Sequence, residues 1–324
     1  MSHFSVMVVG EDVEEQLAPF MENCCEKPDK KYMKFNDIED EERNKYENET
    51  IEKVVMPDGR LLNSWDKEFQ VIGTFGIGTG THKVPEGLEK REVPFTELFS
   101  SFEEYMKEWC GYEARDPETG RYGYWQNPNA KWDWYVIGGR WKGYFVRKDG
   151  TGKSDCLTKG EIDFEKIKAD AFDEALEEYD MVEEAFGGII PVLEYFWKDV
   201  LNDEKFKDMT IEEKRVFYYD QEAMKRKIEV AHNLEKNSKA YEYLLWGDIE
   251  KYQIPRIEFA ANAANGAIAS FAIVKDGVWH ERGGMGWWGI VSDEKEVYSW
   301  YDEFQSIIDS AKDDELITLV DCHI

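Results

Sequence analysis

The sequence has no run of about 18 consecutive apolar residues, the length that a membrane-spanning helix needs. Its first residues, MSHFSVMVVGEDVEEQ, lack the basic start and the apolar stretch of a secretory signal peptide. Cysteine is scarce, with five residues and no Cys-x-x-Cys pair. An odd number of unpaired cysteines predicts free thiols in a reducing compartment, and therefore a cytoplasmic protein.

Common catalytic motifs are also missing. The chain has no Gly-x-Ser-x-Gly elbow, no His-Glu-x-x-His and no Walker pattern, and acidic pairs are too frequent in it to indicate acid–base catalysis. We therefore lean against an enzyme, leave the point open, and expect no cofactor. His3, Cys322 and His323 would meet if the two terminal strands paired. Because alternation places Cys322 and His323 on opposite faces of a strand, we expect no metal site.

Acidic residues are in large excess. Sixty-nine Asp and Glu face 40 Lys and Arg, which gives a net charge of −29. Such a surface repels the phosphates of nucleic acids and of anionic membranes, so we expect direct binding to neither. It attracts basic protein surfaces, including the nucleic-acid groove of an enzyme. The alternative is that the charge only keeps the chain soluble.

The hydrophobic pattern predicts an α+β fold, either ferredoxin-like or a related antiparallel sheet with helices, plus a helical insertion. Residues 4–9 and 316–322 are short and apolar, and we expect them to form antiparallel neighbouring strands. Between them the spacing of apolar residues becomes helical. We therefore divide the chain into an α/β part over 1–157, a helical insertion over 158–252, and an α/β part over 253–324 that completes the sheet.

Two hairpins are predicted from turn residues and alternation. The aromatic segment 122–146 is expected to turn at Gly138-Gly139. Residues 267–283 are expected to turn at Lys275-Asp276-Gly277, a sequence that suits a tight hairpin. A glycine-rich stretch, Gly73 to Gly80, precedes no helix, so we expect a surface loop and leave open whether it binds a ligand.

Aromatic and glycine residues concentrate in two segments, 132–141 and 283–289, which we call the glycine–aromatic segments. Aromatic side chains and Arg dominate the energetics of protein interfaces. We therefore predict a partner-binding surface that consists of Trp132, Trp134, Tyr135, Arg140, Trp141, Trp287 and Trp288. The alternative is that these residues pack on the core.

Four segments resemble a family of phage and prophage proteins: MSHFSVMVVGEDVEEQLAPF, NPNAKWDWYVIGGRWKGYF, ERGGMGWWGIVSDEK and TLVDCHI. The resemblance runs from one end of the chain to the other but leaves out much of residues 163–252. It brings no established reaction and no catalytic residue. Accessory phage proteins of this size are often inhibitors of host defence, so the resemblance implies a bacterial target, with Gabija-type nuclease complexes as one such class.

Two functions follow from these observations. The first is an acidic, phage-encoded interaction protein that acts in the host bacterial cytoplasm and binds a bacterial defence protein. The second is a nucleotide-binding or nucleotide-modifying protein that uses the two glycine–aromatic segments, which would then line one cleft. Self-association into a homo-oligomer stays open.

Overall fold

The computed structural model describes residues 2–22, 29–71 and 82–324, apart from the side chain of Trp287. The chain has an α+β fold, as predicted. It divides into two compact units: Met1–Met21 with Lys131–Ile324, the larger unit, and Glu22–Ala130, the smaller unit. The divisions that we placed at residues 157 and 252 both lie within the larger unit, and neither coincides with a boundary between the two units.

The strands are β1 His3–Val9, β2 Lys34–Asp37, β3 Thr50–Val55, β4 Leu61–Leu62, β5 Glu89–Pro94, β6 Gly123–Gln126, β7 Trp134–Ile137, β8 Phe145–Val146, β9 Lys153–Ser154, β10 Cys156–Thr158, β11 Ala272–Lys275, β12 Val278–Glu281, β13 Gly284–Met285, β14 Val291–Ser292 and β15 Leu316–His323. The helices are α1 Val13–Leu17, α2 Glu39–Asn48, α3 Phe95–Leu98, α4 Phe102–Glu108, α5 Phe164–Ala185, α6 Trp197–Asn202, α7 Ile211–Asp220, α8 Glu222–Asn233, α9 Lys239–Trp246, α10 Arg256–Gly266 and α11 Val297–Ser310.

The main sheet of the larger unit has the order β10-β15-β1-β11-β12, with β7 also paired to β15. The terminal strands β1 and β15 are antiparallel neighbours from His3 opposite His323 to Val9 opposite Ile317, which confirms that prediction. In a ferredoxin-like sheet all neighbours are antiparallel, whereas here β1 and β11 are parallel. Parallel neighbours need a long crossover connection, and the helical segment α5–α10 lies between these two strands in the chain.

Alternate residues of the terminal strands enter two different cores, as the pleat of a sheet requires. One face packs against α11 and the other against α1. The first core includes Met7, Val9, Ile317, Leu319, Trp300, Phe304 and Ile308. The second includes Phe4, Val6, Val8, Val320, Cys322, Leu17 and Trp132. The sheet is therefore buried on both faces over most of its length.

The helical segment has a core of its own. Val182, Tyr218, Met224 and Leu244 are among its buried residues. The helices predicted for residues 158–252 are present, and α10 extends the helical region to Gly266. Thr210 and Glu213 form a capping box at the start of α7. The helical run after it is divided at Gln221, whose non-helical backbone separates α7 from α8.

The smaller unit combines short strands with an aromatic core. β3 pairs with β4 and β5, and β2 pairs with β6. The buried core includes Phe95, Phe102, Tyr105 and Tyr122. Ser101 caps α4 by accepting a hydrogen bond from the amide of Glu104, as its position before the apolar run predicts.

One predicted hairpin is present and the other is not. β11 and β12 pair around the two-residue turn Asp276-Gly277, and both turn residues have positive φ. The prediction of an aromatic hairpin that turns at Gly138-Gly139 is wrong, because β7 pairs with β15 and β8 pairs with β9. Gly138 and Gly139 still turn the chain, but into a short 3-10 turn.

Candidate functional site

β7 forms an edge of the main sheet. It pairs antiparallel with β15, from Trp134 opposite His323 to Ile137 opposite Val320. No strand among the described residues pairs with its other side. Trp134, Val136 and Ile137 are 39%, 48% and 51% exposed. This strand therefore presents an apolar, unpaired edge to solvent.

Trp134 lies against two histidines at one end of the terminal strands. Its ring stacks on that of His323 with the centroids 4.9 Å apart, and it meets the ring of His3 edge-on at 5.2 Å. His3 Nδ1 is 2.8 Å from Asp321 Oδ1, and His323 Nδ1 is 2.7 Å from Asp133 Oδ1. Because each carboxylate holds one imidazole, the two rings form a fixed support for the exposed indole.

Asp321 also holds the turn that follows β7. Its buried carboxylate accepts the backbone amide of Arg140 at 3.0 Å in addition to the His3 contact. Gly139 has a φ of 48°, and a Cβ there would collide with the Asp321 side chain. Glycine is therefore required at this position. The Arg140 side chain is exposed and forms no salt bridge with any described residue.

Cys322 points to the opposite face of the sheet from this network. The register that places His3 beside His323 also places Phe4 beside Cys322, and both of the latter enter the α1-side core. Burial raises the pKa of the Cys322 thiol well above its ordinary value. The thiol therefore stays protonated and is a poor nucleophile and metal ligand. Across the described ranges, no group of three or more His, Cys, Asp or Glu could hold a metal ion.

The structure places the predicted site residues of the first glycine–aromatic segment partly in the core. Trp132 is 4% exposed and its indole donates to the Leu17 carbonyl at 3.1 Å, so it offers no surface to a partner. This corrects our prediction for that residue. Tyr135 is half-buried and meets Trp132 edge-on. Trp141 packs against the α11-side core. Of the predicted site residues in this segment, Trp134 and Arg140 are exposed.

The second glycine–aromatic segment lies on the small hairpin of β13 and β14. The Ser2 hydroxyl donates to the Gly286 carbonyl at 3.3 Å and accepts the Gly289 amide at 2.6 Å. Trp288 is 81% exposed and has a φ of 66°. The side chain of Trp287 lies outside the described part of the structure. Both glycine–aromatic segments therefore border the same end of β1.

A nucleotide site between the two segments would need a shared pocket. Residues 132–141 and 283–289 line neither the cavity among α6–α9 nor the cavity of the smaller unit. The glycine-rich stretch Gly73 to Gly80 lies outside the described residues. A nucleotide site at these segments stays a prediction.

Sequence reasoning overlooked the two aliphatic residues of β7, Val136 and Ile137, and the carboxylates that hold the histidines. The absence of any charge between Trp134 and Ile137 was the available signal for an apolar edge. Nothing local marks Asp133 or Asp321, because their partners are distant in the chain.

No family model matches the chain, and no curated protein or solved structure matches it. No helix in the described ranges is both long and apolar enough to span a bilayer. The function must be argued from the surface itself.

Proposed function

We propose that this chain is an acidic interaction protein that binds a protein partner through the free edge of β7. The exposed, uncharged edge formed by Trp134, Val136 and Ile137 carries this proposal. Extended segments of other proteins add to such edges, since main-chain hydrogen bonds supply affinity and side-chain contacts supply specificity. Trp134, held on its two histidines, is the aromatic residue that we expect to contribute most.

The opposite edge of the same sheet shows how an edge is usually protected. β12 carries His280, whose Nδ1 is 3.2 Å from Glu303. It also carries Glu281, which forms a salt bridge with Lys131. Charged side chains on an edge strand disfavour pairing with another chain. β7 has no such residue, so its open edge suits a binding role.

The charge of the protein indicates what kind of partner it attracts. Most of the excess of acidic residues lies in the larger unit, which contains β7. A basic partner surface is therefore favoured during encounter. The resemblance to phage proteins leads us to propose a bacterial defence complex as that partner, such as a Gabija-type nuclease complex, in the host cytoplasm.

The test compares one substitution on each edge of the sheet. Val136→Asp places a charge on β7, and Val278→Asp places the same charge on β12, where Val278 is 51% exposed. Both proteins are titrated against a purified Gabija-type nuclease complex by biolayer interferometry. We expect Val136→Asp to weaken binding by at least about tenfold, the effect of losing one important interface residue, and Val278→Asp to leave it within about twofold.

Circular dichroism and melting curves confirm that both variants are folded. Absence of binding by the unmodified protein would overturn the proposed target. Equal effects of the two substitutions would overturn the role of the β7 edge. Sedimentation of the chain alone provides a further outcome: a dimer abolished by Val136→Asp would assign the edge to pairing between two copies of this chain.

A further inference from the structure

The helical segment encloses a cavity of about 470 Å³ among α6, α7, α8 and α9. This volume is within the range of small-molecule sites. The walls combine aromatic rings with two cations. Among the lining residues are Trp197, Arg215, Tyr219, Lys227, Trp246 and Asp248.

Some of the aromatic rings that line the cavity are held in place by contacts, and others are exposed to solvent. Trp197 meets Tyr218 edge-on at 5.4 Å, and the Tyr218 hydroxyl donates to Glu250 at 2.7 Å, so this wall is held in place. Tyr219 is 55% exposed and Trp246 is 82% exposed. Trp246 contacts no other ring among the described residues. An exposed indole at the rim of a cavity is a surface on which a planar ligand can stack.

Neither cation of the cavity forms a salt bridge with a carboxylate of the described residues. Every arginine except Arg140 and Arg215 forms a salt bridge with a carboxylate of the described residues. Lys227 donates to the Gly247 carbonyl at 2.6 Å. Burial lowers the pKa of its amine, and the Asp248 carboxylate opposes this shift without contacting the amine directly. The lining carboxylate, Asp248, accepts the backbone amide of Glu250. In so acidic a chain, two unpaired cations at one cavity favour an anionic ligand.

We propose that this cavity binds a planar aromatic anion of the nucleoside monophosphate type. The base stacks on Trp246 and Tyr219, as bases do on exposed aromatic rings. Arg215 and Lys227 bind the phosphate, because a guanidinium offers paired donors to phosphate oxygens. This site is separate from the β7 edge and from both glycine–aromatic segments.

Isothermal titration calorimetry on the full chain tests the site with AMP, UMP, adenosine and inorganic phosphate as separate ligands. We expect a nucleoside monophosphate to bind at least about tenfold more tightly than adenosine or phosphate alone. Adenosine lacks the phosphate that would bind Arg215 and Lys227, and inorganic phosphate lacks the base that would stack on Trp246 and Tyr219. Arg215→Gln and Trp246→Ala should each weaken that binding by at least about tenfold.

Arg226→Gln is the matched control, since Arg226 lies on α8, is exposed and pairs with Glu229 outside the cavity lining. It should leave binding within about twofold. Both cavity substitutions affect exposed side chains, so the variants should remain folded, as melting curves will show. The proposal is overturned if no nucleoside monophosphate binds at millimolar concentration, if phosphate alone binds as tightly, or if Arg215→Gln and Arg226→Gln behave alike. Val136→Asp should retain nucleotide binding, which separates this site from the proposed protein interface.

Discussion

Glu39, at the first turn of α2, shows how one carboxylate can stabilise the smaller unit. It is buried and accepts hydrogen bonds from Arg115 at 2.9 and 3.2 Å, from the Tyr122 amide at 3.2 Å, and from Arg43 at 3.1 Å. The Arg115 guanidinium is the largest influence, and together with the other donors it lowers the pKa of Glu39 from 4.5 to about 2, against the effect of burial. The charged form of this residue is therefore favoured by folding.

We predict a pH dependence from this shift. Because the pKa is lower in the folded state, the stabilisation is complete above about pH 4.5 and is lost as the pH falls toward about 2. The full shift corresponds to about 3 kcal/mol, and solvent screening of the partly exposed Arg115 and Arg43 reduces the contribution to on the order of 2 kcal/mol. Hydrogen-exchange protection of peptides from α2, measured on the full chain between pH 7 and pH 3, should fall in the unmodified protein.

Glu39→Gln should start with lower protection at pH 7 and lose little more on acidification. Glu41→Gln, on the same helix but with a 70% exposed side chain, is the control and should behave like the unmodified protein. Parallel acid profiles for all three proteins would contradict the assignment.

Residue roles of this kind were not predictable from the sequence. In the sequence, residues 22–50 form a polar and charged stretch without a motif that indicates a site. Glu39 gains its role from Arg115 and Tyr122, which are 76 and 83 positions away in the chain. Trp132 and Trp134 are likewise two residues apart and equally aromatic, yet one is in the core and the other on the surface. Their tertiary contacts decide the difference, because Trp132 packs in the α1-side core whereas Trp134 lies on the edge strand β7.

At the scale of elements, β15 is the strand on which the sheet depends. It pairs with β1 on one side and with β10 and β7 on the other, and seven of its eight residues are buried. Removal of residues 316–324 would expose the apolar edge of β1, and unpaired apolar edges promote aggregation. We predict that this truncation gives insoluble protein, measured as the fraction that remains in the supernatant after lysis and centrifugation.

Deletion of Ile324 alone is the control for that truncation, because it leaves all of β15 in place; we expect this variant to be soluble. A soluble nine-residue truncation whose β1 amides remain protected from exchange would show that the sheet does not need β15.

Local patterns predicted two kinds of element well: a hairpin whose two strands are close in the sequence, and strands that are strongly apolar. The Asp276-Gly277 turn supplies the positive φ values of a tight hairpin, and the two terminal strands were recognisable from their apolar residues. The prediction of an aromatic hairpin was wrong because alternation indicates a strand but does not indicate which strand pairs with it. β7 pairs with β15, whose residues lie more than 180 positions away, and the Gly138-Gly139 turn is shaped by contacts with Asp321 and Asp155.

At the scale of the whole molecule, the net charge of −29 predicts the kinetics of partner binding. Exposed charges are screened beyond a Debye length of about 8 Å at physiological ionic strength. If encounter is steered by charge, the association rate with a basic partner should fall at least about fivefold between ~50 and ~500 mM salt. The dissociation rate should change less, since it depends on desolvated contacts such as that of Trp134.

Stopped-flow or interferometry measurements across that salt range test this prediction with the unmodified protein. An association rate that stays constant would show that the acidic surface serves solubility and does not guide binding. The sequence was sufficient to raise this question, because charge is a property of composition. It could not locate the surface that we propose for binding, because that surface depends on which strand edge folding leaves unpaired.

The position of β15 in the chain has a consequence for synthesis. Every other strand of the main sheet emerges from the ribosome before it, so β1 lacks its antiparallel neighbour while the roughly 300 residues between the two strands are translated. During that interval the nascent chain displays an apolar strand without its closing partner, which is a form that chaperones bind. The helical segment, whose contacts are local, can fold in the meantime. Completion of the sheet therefore waits for the synthesis of β15.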